Sequence, residues 1–168
     1  MKNNRFLFKT FYVISGLAFL LITAGSCSKD NSVPASTYQM TFTANGTKVS
    51  YTPEGGLIAT FSNTGDQYLG VFSGSDANTN MNLQVFDNKM ISAIDYTGYT
   101  TSGFQLIGVL IGYDDNSGTL YSEAGDDAEV NVTSMTATEV SGTFSGTLTA
   151  TGKPELVIAD GKFTLKRY

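Results

Sequence analysis

Val140-Ser141-Gly142-Thr143-Phe144-Ser145-Gly146-Thr147-Leu148-Thr149-Ala150 is the stretch on which the fold turns. Val140, Gly142, Phe144, Gly146, Leu148 and Ala150 fall on one side of an extended chain, and Ser141, Thr143, Ser145, Thr147 and Thr149 on the other. Side chains alternate faces along a strand with a period of two, so the pattern predicts one inward and one wet face. The same alternation recurs elsewhere. Tyr38, Met40, Phe42 and Ala44 oppose Gln39, Thr41 and Thr43; Asn45-Gly46 then supplies a strong hairpin signal and Thr47–Tyr51 returns. Ala128, Val130 and Val132 alternate with Glu129, Asn131 and Thr133. Phe163 and Leu165 alternate with Thr164 and Lys166 after a turn expected at Asp160-Gly161. Further strands are expected at 57–62, 67–73, 81–86 and 119–122, with Gly, Asn and Asp supplying the turns. No segment of ten or more residues after Asp30 has helical periodicity. These signals predict an all-β domain over 37–168, a single antiparallel β-sandwich or flattened β-barrel of about 8–10 strands.

One strand breaks the alternation. In 104–112, Phe104, Leu106 and Leu110 take one face while Ile107, Val109 and Ile111 take the other. A strand wet on one side does not read this way. Either it is a central strand covered by a loop or by a short helical turn from 87–96, or one face lines a cavity or an interaction patch. Ile107, Val109 and Ile111 are therefore candidate binding residues for a lipophilic ligand.

The start of the chain has a different grammar. Lys2, Arg5 and Lys9 precede an apolar run from Phe11 to Ile22, and the small residues Ala24-Gly25-Ser26 lead to Cys27. A basic segment, an apolar segment of about a dozen residues and a small-residue exit form an export signal. The run is shorter than the roughly 20 residues that span a bilayer. Ala24-Gly25-Ser26-Cys27 resembles the lipobox of bacterial lipoproteins. That resemblance implies cleavage between Ser26 and Cys27, lipid on the Cys27 thiol and an acylated new terminus. Several acyl chains, each methylene worth about 0.8 kcal/mol, would anchor the protein firmly. The expected organisation is a lipoprotein signal peptide over 1–26, a lipidated flexible tether over 27–36 and the β-rich domain after it.

Composition excludes several chemistries. There is no histidine and only one cysteine. A Ser-His-Asp triad, an imidazole metal site and a disulfide are therefore all out of reach. Fifteen acidic residues against ten basic ones give a net charge of −5, and three of the basic ones precede the expected cleavage. Only Lys166-Arg167 pairs two cations in the expected domain, so nucleic acid is not expected as a partner. Tryptophan is absent, but nine tyrosines remain.

The Val140–Leu148 strand, the later Ile158-Ala159-Asp160-Gly161-Lys162-Phe163-Thr164-Leu165 and the Cys27-Ser28-Lys29-Asp30 opening together resemble small β-rich lipoproteins of the Bacteroidetes type. In that group a Gly-Thr-Phe-Ser strand is followed by a closing hairpin. The resemblance covers the signal and about thirty residues at the end. It implies an outer-membrane lipoprotein and transfers no catalytic residue.

Three further constellations invite chemistry. Asp114, Asn116, Asp126 and Asp127 belong to a run of oxygen-bearing side chains that suits calcium, although the spacing departs from the EF-hand loop. Asp, Asn, Ser and Gly are equally the residues of polar turns. Paired carboxylates also serve glycoside hydrolysis, but only if different loops bring them together. Tyr96, Tyr99, Tyr113 and Tyr121 flank the acidic segments and are candidates for a glycan- or peptide-binding rim. Gly146–Lys153 lacks the phosphate-loop spacing and reads as a turn. The functional expectation is a cell-envelope lipoprotein with a non-enzymatic, ligand- or partner-binding β-domain. A carboxylate-dependent hydrolase and a structural envelope component are the alternatives.

Overall fold

The computed structural model describes residues 37–103, 105–123 and 127–168, so Ser26, Cys27, Phe104 and Asp126 lie outside the described residues. In chain order the strands are β1 (Gln39–Ala44), β2 (Thr47–Tyr51), β3 (Leu57–Thr64), β4 (Gln67–Ser75), β5 (Asn80–Asp87) and β6 (Asp95–Thr97). They continue as β7 (Tyr99–Ser102), β8 (Gln105–Asp114), β9 (Leu120–Glu123), β10 (Glu129–Met135), β11 (Glu139–Leu148) and β12 (Leu156–Lys166). No helix occurs among the described residues. One sheet has the order β2-β1-β12-β11-β10-β6; the other runs β3-β4-β5-β8-β7, with β9 also paired to β8. All named pairings are antiparallel. Two isolated bridges stitch the sheets at corners, Ala59 to Arg167 and Ser122 to Thr149, without closing them into a barrel. The fold is a β-sandwich.

The alternating residues do what their period demands. Val140, Gly142, Phe144, Gly146 and Leu148 are all buried along β11, as are Met40, Phe42 and Ala44 along β1. An aromatic chain crosses the interior from sheet to sheet. Ring centroids lie 5.8 Å apart for Tyr51–Phe42, 5.7 Å for Phe42–Phe144, 6.4 Å for Phe144–Phe163 and 5.1 Å for Phe163–Phe72. Tilted and offset rings at such spacings add about 0.5–1.5 kcal/mol per pair beyond their area. Every strand, and every core residue from Met40 to Leu165, lies inside the compact unit Ser36–Tyr168, which therefore carries its own core. Asn45 and Gly46 take φ of 46° and 78°, the left-handed pair that a two-residue hairpin requires.

Asp160-Gly161 is a bulge within β12, where the sequence reading expected a turn. Both neighbours of β12 slip register here: Phe144 pairs Gly161 and Gly146 pairs Ile158, while Thr41 pairs Lys162 and Thr43 pairs Ala159. The extra residue, with Asp160 at φ 54°, shifts the phase of the strand. Ile158 sits at an even position and Phe163 and Leu165 at odd ones, yet all three are buried. A β-carbon on Gly161 would stand 2.3 Å from the Phe144 carbonyl oxygen, which is why glycine follows the bulge.

The two-sided apolar strand is β8, central in its sheet with β5 on one side and β7 and β9 sharing the other. Val109 and Ile111 are fully buried in the sandwich, and Ile111 Cδ1 lies against Gly146 of the opposite sheet. Ile107, Leu106 and Leu110 are half-buried. The segment 87–96 contains no helical turn; it ends in β6 and passes through Gly98, at φ 66°, into β7 of the other sheet. These two short strands raise the total to twelve, above the expected eight to ten. β6 pairs with β10 and β7 with β8, and between them the Gly98 carbonyl accepts the Val109 N–H at 2.8 Å beside Gly108, where a β-carbon would stand 2.0 Å from that carbonyl oxygen.

Candidate functional site

Two concavities of similar size differ in chemistry. The first is an open groove of about 500 Å3 bordered by the β3–β4 hairpin, the segment before β6, the end of β10 and the residue after β12. Antiparallel register sets its first wall, because Asn63 pairs Tyr68 and Ser62 pairs Leu69. Phe61 completes that wall and packs at 5.7 Å against Phe72 of the core. The second wall runs Met90-Ile91-Ser92-Ala93. Ile91 is anchored in the core at 4 % exposure, whereas Met90 is 74 % exposed. Tyr96 holds this segment in place: its hydroxyl accepts the Ser92 N–H at 2.8 Å and lies 3.2 Å from the Ser92 carbonyl, to which it donates.

Arg167 supplies the groove's only formal charge among its lining residues. Its guanidinium lies 4.6 Å from the centroid of the Phe61 ring and donates to the Thr136 carbonyl. Its own backbone N–H reaches the Thr138 carbonyl at 3.0 Å, and the next residue bonds Ala59. The cation is thus held from both sides. Among the described residues it has no carboxylate partner. A guanidinium has five N–H donors in a rigid plane, so most of them remain for a visitor.

The second concavity, about 480 Å3, is polar and lies between the loops 75–80 and 114–118. Asp76 accepts the N–H groups of Asn78 and Thr79, each at 2.7 Å, and the Thr79 hydroxyl at 3.2 Å. Asp115 likewise accepts from the Ser117 N–H at 2.9 Å, the Ser117 hydroxyl at 2.6 Å and the Thr119 N–H at 3.0 Å. These donors favour the charged form and hold both carboxyls below the usual range; for Asp76 the backbone N–H groups lead, for Asp115 the Ser117 hydroxyl. The carboxylates close turns. Behind them the Tyr51 hydroxyl pairs with the Thr79 hydroxyl at 2.8 Å, and burial pushes the Tyr51 phenol far upward.

The residues singled out in the sequence are dispersed. Val109, Ile111, Tyr96 and Tyr113 are core residues, with Tyr113 edge-on to Phe42 at 5.8 Å. Burial raises the Tyr113 phenol. Ile107, Tyr99 and Tyr121 are half-buried, and Tyr121 packs on the core. Asp114 and Asn116 line the polar concavity beside Asp76 and Asp115, while Asp127 is exposed ahead of β10 and not among its lining residues. Among the described residues no three acidic side chains converge as a metal-holding group. Sequence reasoning missed the groove. Its signals were Met90-Ile91, apolar residues in a segment without period, and Arg167, the second cation of the Lys166-Arg167 pair at the end of β12. Compared with protein-family models, curated proteins and solved structures, the chain finds no match in any of the three.

Proposed function

We propose that this chain is a lipid-anchored protein of the cell envelope, tethered at the outer membrane through Cys27, whose β-sandwich binds a ligand or partner without catalysing a reaction. The observation that carries the binding role is the groove: an apolar hollow bordered by Phe61, Tyr68, Leu69 and Ile91, in which an acid-rich protein places no acid. Its volume falls within the roughly 300–1,000 Å3 of small-molecule sites, and apolar walls with few polar groups are their usual construction. The anchor rests on the Ala24–Cys27 motif.

The carboxylate alternative has an observation of its own, since Asp76, Asp114 and Asp115 share one concavity. A glycosidase of the two-carboxylate kind needs one carboxyl kept protonated near neutrality. Asp76 and Asp115 are shifted the other way by their turn donors. Binding is therefore the better reading. Methionine placement offers a direct test: Met90 and Met135 line the groove, while Met40 and Met81 are fully buried in the core. In residues 36–168 labelled with 13C at the methionine methyls, titration with a library of small apolar and polar fragments should move Met90 and Met135 and leave Met40 and Met81 in place. If no fragment shifts Met90 or Met135, the binding role fails.

A further inference from the structure

We infer that the groove selects a carboxylate carried on an apolar body, such as a medium-length acyl chain, with Arg167 receiving the carboxylate; this rests on the reading of the groove as a binding site. Three observations converge on that ligand. First, the walls are apolar and adaptable. Phe61 and Leu69 give fixed surface, while Met90 and Met135 are unbranched side chains that fit irregular chains. Second, Arg167 is a cation without a carboxylate partner among the described residues, and it stands beside the Phe61 ring. Beside apolar surface, water screens the guanidinium less than in the open, so a carboxylate arriving with its own apolar tail gains more from it.

Third, the charge pattern discriminates. The chain has fifteen acidic residues, and none lines this groove. The polar groups that do line it besides Arg167, on Ser62, Asn63, Tyr68 and Ser92, are neutral. An amine of the same shape would meet Arg167 as a like charge, and an alcohol would leave the guanidinium without an ionic partner. The fixed donation from Arg167 to Thr136 and its place over Phe61 set the plane of the guanidinium in advance, which lowers the ordering cost of binding.

The test uses octanoate, 1-octanol and octylamine against residues 36–168, read by the methyl signals of Met90 and Met135, with Met40 and Met81 as internal controls. Octanoate should bind about tenfold more tightly than 1-octanol, with octylamine weakest, as expected for a charge-assisted hydrogen bond in a partly dry site. Arg167→Gln should erase the preference for octanoate over octanol. Because Arg167 also bonds Thr136, Ser62→Asp provides a second variant, setting a carboxylate at the rim while leaving Arg167 untouched; it should weaken octanoate and spare octanol. Equal affinity for octanoate and octanol at Met90 and Met135 would overturn the carboxylate class while leaving the groove as a binding site. Absence of a shift with any of the three overturns the ligand class as well, and if the fragment library is also silent the binding role falls with it.

Discussion

Replacing Phe72 with alanine tests the sandwich at its centre. Phe72 is fully buried on β4, stacks at 5.1 Å and 18° on Phe163 of the opposite sheet, and touches Phe61 at 5.7 Å on its own. Removing a buried phenylalanine ring costs about 3–5 kcal/mol through lost transfer energy and the cavity left behind. Unfolding entropy near 2.1 cal/mol/K per residue, over roughly 130 residues, converts this to a fall in Tm of about 10–18 °C. Urea titration with circular dichroism and a thermal scan of residues 36–168 would measure both. A double-mutant cycle of Phe72→Leu and Phe163→Leu isolates the pair, with an expected coupling of about 0.5–1.5 kcal/mol. A loss below about 1 kcal/mol for Phe72→Ala, set against these costs for core phenylalanines, together with zero coupling, would refute the face-to-face packing of β4 on β12.

Other expectations follow from single contacts. Gly161→Ala places a methyl 2.3 Å from the Phe144 carbonyl oxygen and should cost about 2–3 kcal/mol by chemical denaturation, whereas Gly152→Ala, strained but unobstructed, should cost less. Tyr51→Phe removes the bond to Thr79 and should lower stability by about 1 kcal/mol with the core otherwise unchanged. For acid stability the sign is fixed by the lowered carboxyls of Asp76 and Asp115. A depressed folded-state pKa gives stability that is complete above the unfolded carboxyl value and is lost as pH falls through the folded one. The midpoint of urea unfolding should therefore stay level above about pH 4 and decline below it, and Asp76→Asn with Asp115→Asn should flatten that acid limb. A limb of unchanged slope in the double variant would show that other carboxyls carry it.

The sequence and the structure agree where one face is wet. The alternation of β11, β1 and β10 was legible because a threonine-and-serine face against an apolar face admits one register. The Asn45-Gly46 hairpin was legible for the same local reason. The bulge at Asp160 was not, since Asp-Gly serves a turn and a left-handed bulge equally, and only the burial of both Ile158 and Phe163 decides between them. β6 and β7 escaped notice because Asp95–Thr97 and Tyr99–Ser102 offer one tyrosine each and no apolar alternation. The groove was the least visible feature. Its residues come from β3, β4, the segment before β6, β10 and the end of the chain, and no sequence window contains more than four or five of them. Tyr96 and Tyr113 stood out as an aromatic rim, yet aromatic residues near polar turns can equally point inward, as these two do.

The envelope assignment stands or falls on the first residue of the exported chain. Mass spectrometry of the amino-terminal peptide from the natural protein, extracted from membranes with detergent, should find Cys27 at the terminus carrying thioether-linked lipid and an acylated amine. Cys27→Ser should remain as the uncleaved precursor, without incorporated fatty acid. A natural protein that begins at another residue, or that bears an unmodified thiol at Cys27, would contradict the account.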